Sequence, residues 1–208
     1  MALSKILLLT VLILGCFCYE QSNLEEKSIS QSQKTELIKE ADIIISYVDS
    51  VLKNGKYPQL RVFAEVEDAP TKYIEIEDLD NWPENTVTSI NVVYDEKQKP
   101  VAYKEIISSG SGDCSNSYCT YFSKNGEIKA FKRTSFFFND ICGEGPISEK
   151  NWFYFDKKLN KIYEKYELLD GSGIPIDSTK CGEIICRFDY KVYKTFSRTP
   201  LVKKGILK

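Results

Sequence analysis

An α+β fold is what this sequence predicts: one N-terminal helix packed on a twisted antiparallel β-meander of roughly eight or nine strands. Three observations predict it. Between Gln31 and Asn54, Leu37, Ala41, Ile44, Ile45, Val48, Val51 and Leu52 recur at three- and four-residue steps, the spacing that lines one stripe of a helix. After Pro58 the period changes to two, the signature of a strand with one buried face. Finally, Asn91 to Ile107, Tyr118 to Phe138 and Asn151 to Leu169 each read as an aromatic or β-branched run, a short polar turn and a second such run.

The helix carries its own boundaries. Ser30 with Gln33 three residues on reads as a capping box, and Asn54-Gly55 as a left-handed stop. Leu60, Val62, Ala64 and Val66 then alternate with Arg61, Phe63, Glu65 and Glu67, and after a turn at Asp68-Ala69-Pro70 the alternation resumes through Tyr73, Ile74 and Ile76, giving a first hairpin. Asp78 to Asn85 is acidic and irregular. Its carboxylates suit calcium chemically but lack the EF-hand spacing, so it reads as a surface loop.

Of the three later hairpins, the second has the strongest turn signal. A type I′ turn needs positive φ at both central residues, which Asn125-Gly126 tolerates. That turn sets Glu127 opposite Lys124, Ile128 opposite Ser123 and Phe131 opposite Thr120. It places Tyr121, Ile128, Ala130, Phe136 and Phe138 on one face and Tyr118, Phe122, Phe131 and Phe137 on the other. Both faces are aromatic, so something must cover each. The helix covers one; the other is closed by sheet curvature or left as an apolar groove. The Gly/Ser stretches at 109–113 and 170–173 lack the features of a phosphate-binding loop and read as connections, Ile184 to Phe196 as a last strand, and 201–208 as a basic tail adding little.

Met1 to Cys18 reads as an export signal: one positive side chain, then an apolar run from Ile6 to Gly15, well short of the roughly 18 residues a membrane span needs. Ile13-Leu14-Gly15-Cys16 resembles the lipobox of bacterial lipoproteins. That resemblance implies lipidation of Cys16 and, with Phe17 rather than Asp following, an outer-membrane anchor. The alternative is cleavage after Cys18, which leaves a periplasmic or extracellular chain. The expected organisation is a signal over 1–18, a flexible tether over 19–30, one domain over 31–200 and the basic tail over 201–208.

Export makes disulfides the expectation for the remaining cysteines. Cys114 and Cys119 share their spacing with Cys181 and Cys186, so two local or two long-range bridges fit, and a four-thiolate zinc site is the alternative. Cys142 is left over, to remain a free buried thiol or to pair with Cys18 where that residue survives processing.

Charge is uninformative in total, a net −2, but Glu65 to Glu96 is acidic and every charge after Asp189 is basic. The chain contains no histidine, which removes Ser-His-Asp and Cys-His nucleophile systems, His-ligated metals and the commonest general base near neutral pH. Asp140 with Glu144 and Asp156 with Glu164 are the conceivable carboxylate pairs, at spacings that chance supplies freely. The sequence thus predicts no enzyme, no cofactor, no metal and no nucleic-acid partner. It predicts an exported binding module for an unknown protein, lipid or glycan, with a carrier of an apolar ligand or a structural envelope protein as alternatives. The carrier alternative draws on a likeness of architecture to half-barrel proteins that ferry lipids across the bacterial periplasm. The expected partner surface consists of Phe122, Phe131, Phe137, Trp152 and Tyr154.

Overall fold

The computed structural model describes residues 29–55, 57–67, 73–78, 80–138, 145–181 and 188–208. The leader, Cys16, Cys142, Cys186 and the pair Asp140/Glu144 lie outside them. Residues Gln31–Lys208 form one compact unit, which includes the 201–208 segment.

Helix α1 (Gln31–Asn54) is followed by eight strands: β1 (Leu60–Val66), β2 (Tyr73–Ile76), β3 (Thr86–Tyr94), β4 (Pro100–Ser108), β5 (Cys114–Phe122), β6 (Ile128–Phe138), β7 (Pro146–Phe155) and β8 (Lys161–Leu169). They form one antiparallel sheet in the order β2-β1-β3-β4-β5-β6-β7-β8. From β3 onward the sheet is a meander; before that, β2 lies outside β1 and the chain returns to β1's inner edge as β3. The edges are a four-residue strand, β2, and β8, whose Lys161, Glu164, Lys165 and Glu167 discourage pairing with another chain.

The turns follow one recipe, and it differs from the type I′ expectation. Gln98, Gly112, Gly126, Leu159 and Gly173 each have positive φ, and each donates its backbone N–H to the carbonyl three residues back, at Asp95, Ser109, Ser123, Asp156 and Asp170. This is a type I turn closed by one left-handed residue. In four of the five, the side-chain oxygen of the first residue also accepts N–H groups two and four residues on. An Asp or Ser in that place gives the backbone a local partner and nucleates the turn.

At Ser123–Gly126 the recipe has a register consequence. Thr120 faces Phe131 as expected, but the pairing shifts by one between Tyr121 and Phe122, so Phe122 rather than Ser123 faces Ile128. The bulge turns Ile128 over, and it packs with Tyr118 and Phe131 instead of with Ala130.

Helix α1 crosses one face from β3 to β7, burying Ala41, Ile45, Val48 and Val51 on Val93, Ala102, Cys119, Tyr121, Ala130, Trp152 and Tyr154. The small residues Ala41, Ala102 and Ala130 let the helix approach closely. Tyr154 donates to Asp42 Oδ1 at 2.7 Å, Tyr47 donates to the carbonyl of Tyr94 at 2.8 Å, and Lys129 pairs with Glu40 at 2.8 Å. The expected left-handed stop is not present: Gly55 does not have positive φ, its N–H still donates to the Val51 carbonyl, and a Cβ there would collide with that carbonyl oxygen, so only glycine fits.

The opposite face is closed neither by curvature nor left as a groove. The segment 188–207 runs over it as a strap. Residues 188–194, expected as part of a last strand, form none; the strap touches the sheet through Ile128 N–H on the Lys194 carbonyl and Phe196 N–H on the Gly126 carbonyl, with a single bridge between Glu127 and Thr195. Tyr193, Phe196, Leu201 and Leu207 pack on Phe63, Ile90, Val92, Tyr103 and Phe122. The expected inert tail is therefore core: a one-turn helix α2 (Pro200–Lys203) sets Leu201 at 0 % exposure.

Cys114 and Cys181 are each engaged in a disulfide, while Cys119 is a free thiol buried under α1. This corrects the expectation for Cys119. Residues five apart on a strand point to opposite faces, so Cys119 faces the helix, away from Cys114 and the cluster it shares with Phe137, Ile147, Leu168 and Cys181. No four-thiolate site can be assembled from the two pairs. Burial pushes the Cys119 thiol up to about 12, which makes it inert.

Candidate functional site

None of the five aromatics expected at a partner surface is exposed, and the fold does not bring them together. Phe122 and Phe131 lie under the strap and Phe137 under Ile176, Cys181 and Phe188, in three separate clusters, and Trp152 and Tyr154 lie under the helix. Trp152 is flanked by Lys132 and Lys165, whose ammonium groups sit 5.3 and 4.8 Å from its ring centre. These residues build the domain. Asp156 and Glu164 are also occupied: Asp156 holds its turn, and Glu164 pairs with Lys161 and accepts from Asn151. Burial raises the Asp156 carboxyl, but hydrogen bonds from Asn160 and Lys158 outweigh it and hold it below its ordinary value. Each carboxylate thus has partners within its own hairpin.

Polar chemistry collects instead on the strap-covered face, in two places. In the first, Glu105 on β4 accepts from Tyr193 of the strap at 3.1 Å and, at the longer distance of 3.5 Å, from Tyr103. The two tyrosine rings meet edge to face at 5.4 Å. Burial raises the Glu105 carboxyl to about 7; the two hydroxyls lower it, and the neighbouring Glu65 raises it further. Tyr73, opposite Glu65 on the next strand, is pushed up to about 12 by burial and by the Glu65 charge. This cluster fastens strap to sheet through the two tyrosine hydroxyls that converge on one Glu105 oxygen.

The second place is a cleft of ≈ 380 Å³ between β5, β6 and the strap, lined by Asn116, Tyr118, Arg133, Phe188, Asp189 and Tyr190. Its floor is set by register: Tyr118 faces Arg133 across the β5–β6 pair, and Asn116 faces Ser135. The Ser135 hydroxyl donates to Asn116 Oδ1. Arg133 donates from Nη2 to Glu149 Oε2 at 2.7 Å, and Tyr166 donates to the other oxygen of Glu149 at 3.3 Å. Arg133 Nε is buried with no acceptor, and so is Oδ1 of Asn151, its cross-strand neighbour, with no donor. The wall is aromatic. Tyr190 lies flat on Tyr118 and Phe131, with ring centres 5.0 and 5.3 Å away, and Tyr118 donates to the Phe188 carbonyl at 3.0 Å.

A guanidinium, a carboxamide, a carboxylate and a phenol round one small opening can orient a polar guest, and the stacked rings give it a flat side to rest on. Sequence reasoning did not single out Arg133, Asn116 or Glu105. The signal was present: they share strand parity with Tyr118, Phe131 and Tyr103, so alternation alone places polar groups among core aromatics.

Comparison with protein-family models, with curated proteins and with solved structures gives no match.

Proposed function

We propose that this chain is a non-enzymatic binding module of the cell envelope, exported by its leader, anchored through lipid on Cys16 in the outer membrane, and recognising its partner with the strap-covered face. The observation that carries the reading is that both faces of the sheet are covered, one by α1 and one by the strap, so that the described opening is small, with polar groups on its floor and aromatic rings on its wall. A lipid carrier needs an apolar cavity that its sheet encloses; here the apolar side chains of both faces are spent on the helix and the strap. The absence of histidine and the engagement of Asp156 and Glu164 in turn and ion pair support a role without chemistry.

Native mass spectrometry of the chain expressed with its own leader and extracted gently from membranes tests this. The expected mass is an acylated chain beginning at Cys16 with no further lipid bound. A chain beginning at Tyr19 overturns the anchor, and a second lipid that leaves on denaturation overturns the module in favour of a carrier.

A further inference from the structure

We propose that the cleft beneath the strap is a saccharide site, with Tyr190 as its stacking platform and Arg133, Asn116 and Asp189 as its hydroxyl-recognising groups. The inference rests on the binding-module reading and names the ligand class of that same site.

Three features select a sugar over other small guests. The first is charge balance. Arg133 is already paired with Glu149 at 2.7 Å, and Asp189 stands on the cleft wall, so a phosphate or carboxylate would meet one engaged guanidinium and two carboxylates. A neutral guest suffers no such repulsion.

The second is the mixture of donors and acceptors. The Arg133 guanidinium on the lining offers N–H donors, whereas the carboxylate of Asp189 offers an acceptor. A hydroxyl serves as either, and a ring carrying several of them can answer both at once. An apolar guest would leave these groups unsatisfied, at the cost that burial of an unpaired polar group carries.

The third is the platform. Tyr190 is 45 % exposed although two aromatic rings hold it in place, so a flat apolar surface is presented without loss of order on binding. The C–H face of a pyranose packs on such a ring, and the volume, ≈ 380 Å³, suits a guest of about that size near the lower end of known ligand pockets.

The test is an amide NMR titration of the folded protein with D-glucose and with N-acetyl-D-glucosamine, up to tens of millimolar, repeated in Tyr190→Ala and Asp189→Asn. Asp189→Asn changes an exposed side chain, whereas Tyr190→Ala also removes the ring stacked on Tyr118 and Phe131, so the amide spectrum of each variant without sugar serves as the check that it is folded. Saturable shifts at Asn116, Tyr118, Arg133 and Tyr190 with at least one sugar, weakened about tenfold by Tyr190→Ala, are expected. Asp189→Asn is expected to weaken binding less, since an amide still accepts a hydroxyl proton. Absence of saturable shifts with both sugars, or shifts that Tyr190→Ala leaves unchanged, overturns the saccharide assignment. Either result leaves the module-or-carrier question to the bound-lipid measurement, so the two readings fail separately.

Discussion

The two faces of this sheet are closed by different means. Under α1 the sheet offers Ala102, Ala130 and Cys119 among larger residues, and a regular helix lies close on them with its own Ala41 and Val48. Under the strap it offers Phe63, Tyr103, Phe122 and Phe131, which only an irregular segment with its own large side chains can fill. The helix satisfies its backbone internally, so its face carries few polar groups. The strap does not, and its side of the sheet retains Glu105, Asn116, Arg133 and Glu149, with a cleft between them. Regular cover makes a sealed core; irregular cover makes a core with an opening.

Breaking the strap should have the largest effect. Leu201→Ala is expected to cost about 3 kcal/mol, the usual penalty for truncating a fully buried leucine. Equilibrium denaturation checks it, and no loss would mean that the tail does not seal the face.

Next comes the Glu105 carboxyl. Glu105 has a folded value of about 7, above its ordinary 4.5, so the folded protein keeps a proton that the unfolded chain releases. Stability is then fully present below the unfolded value, falls as pH rises through that window and levels off above about 7. The drop is at most about 3 kcal/mol, at 1.36 kcal/mol for each unit between the two values. Glu105→Gln, which keeps an acceptor for Tyr193, should flatten that slope and stabilise the protein at pH 8 by up to the same about 3 kcal/mol. Denaturation curves across the window decide it, and an unaltered slope would assign the titration elsewhere.

On the helix side the corresponding polar clasp is peripheral. Tyr154→Phe removes one hydrogen bond to Asp42 and should cost only about 1 kcal/mol, with no change in pH dependence between 4.5 and 7. A cost matching Leu201→Ala would erase the distinction between the faces. The smallest expected effect is a null one: Cys119, sealed under α1, should resist thiol reagents in the native state and react on unfolding. Rapid native labelling would show that the helix side opens.

What the sequence disclosed follows the same division. Helix α1 was legible because its apolar residues repeat with the helical period, and the hairpins because each run alternates and each turn opens on Asp or Ser. The strap was not legible, since 188–207 has aromatics without a period and its cover depends on contacts far along the chain, such as Tyr193 on Glu105. The face of Ile128 is not legible locally, because the turn before it adds a bulge that one-residue counting from Asn125-Gly126 misses. For the cysteines, strand parity alone carries the answer: five-residue spacing forbids Cys114 and Cys119 from sharing a face. Arg133 and Asn116 were visible as polar residues in aromatic parity, but which other strands' residues they meet is set by register, not by local pattern.

The most direct test of the central claim, that the C-terminal strap closes the second face, is amide hydrogen exchange at Ile128 and Phe196. These two N–H groups donate to Lys194 and Gly126 and exist as protected groups only while the strap is seated. Protection comparable to the central strands β4 and β5 is the predicted result. Exchange as fast as in an exposed loop would contradict it, leaving the aromatic face open and the cleft without its wall.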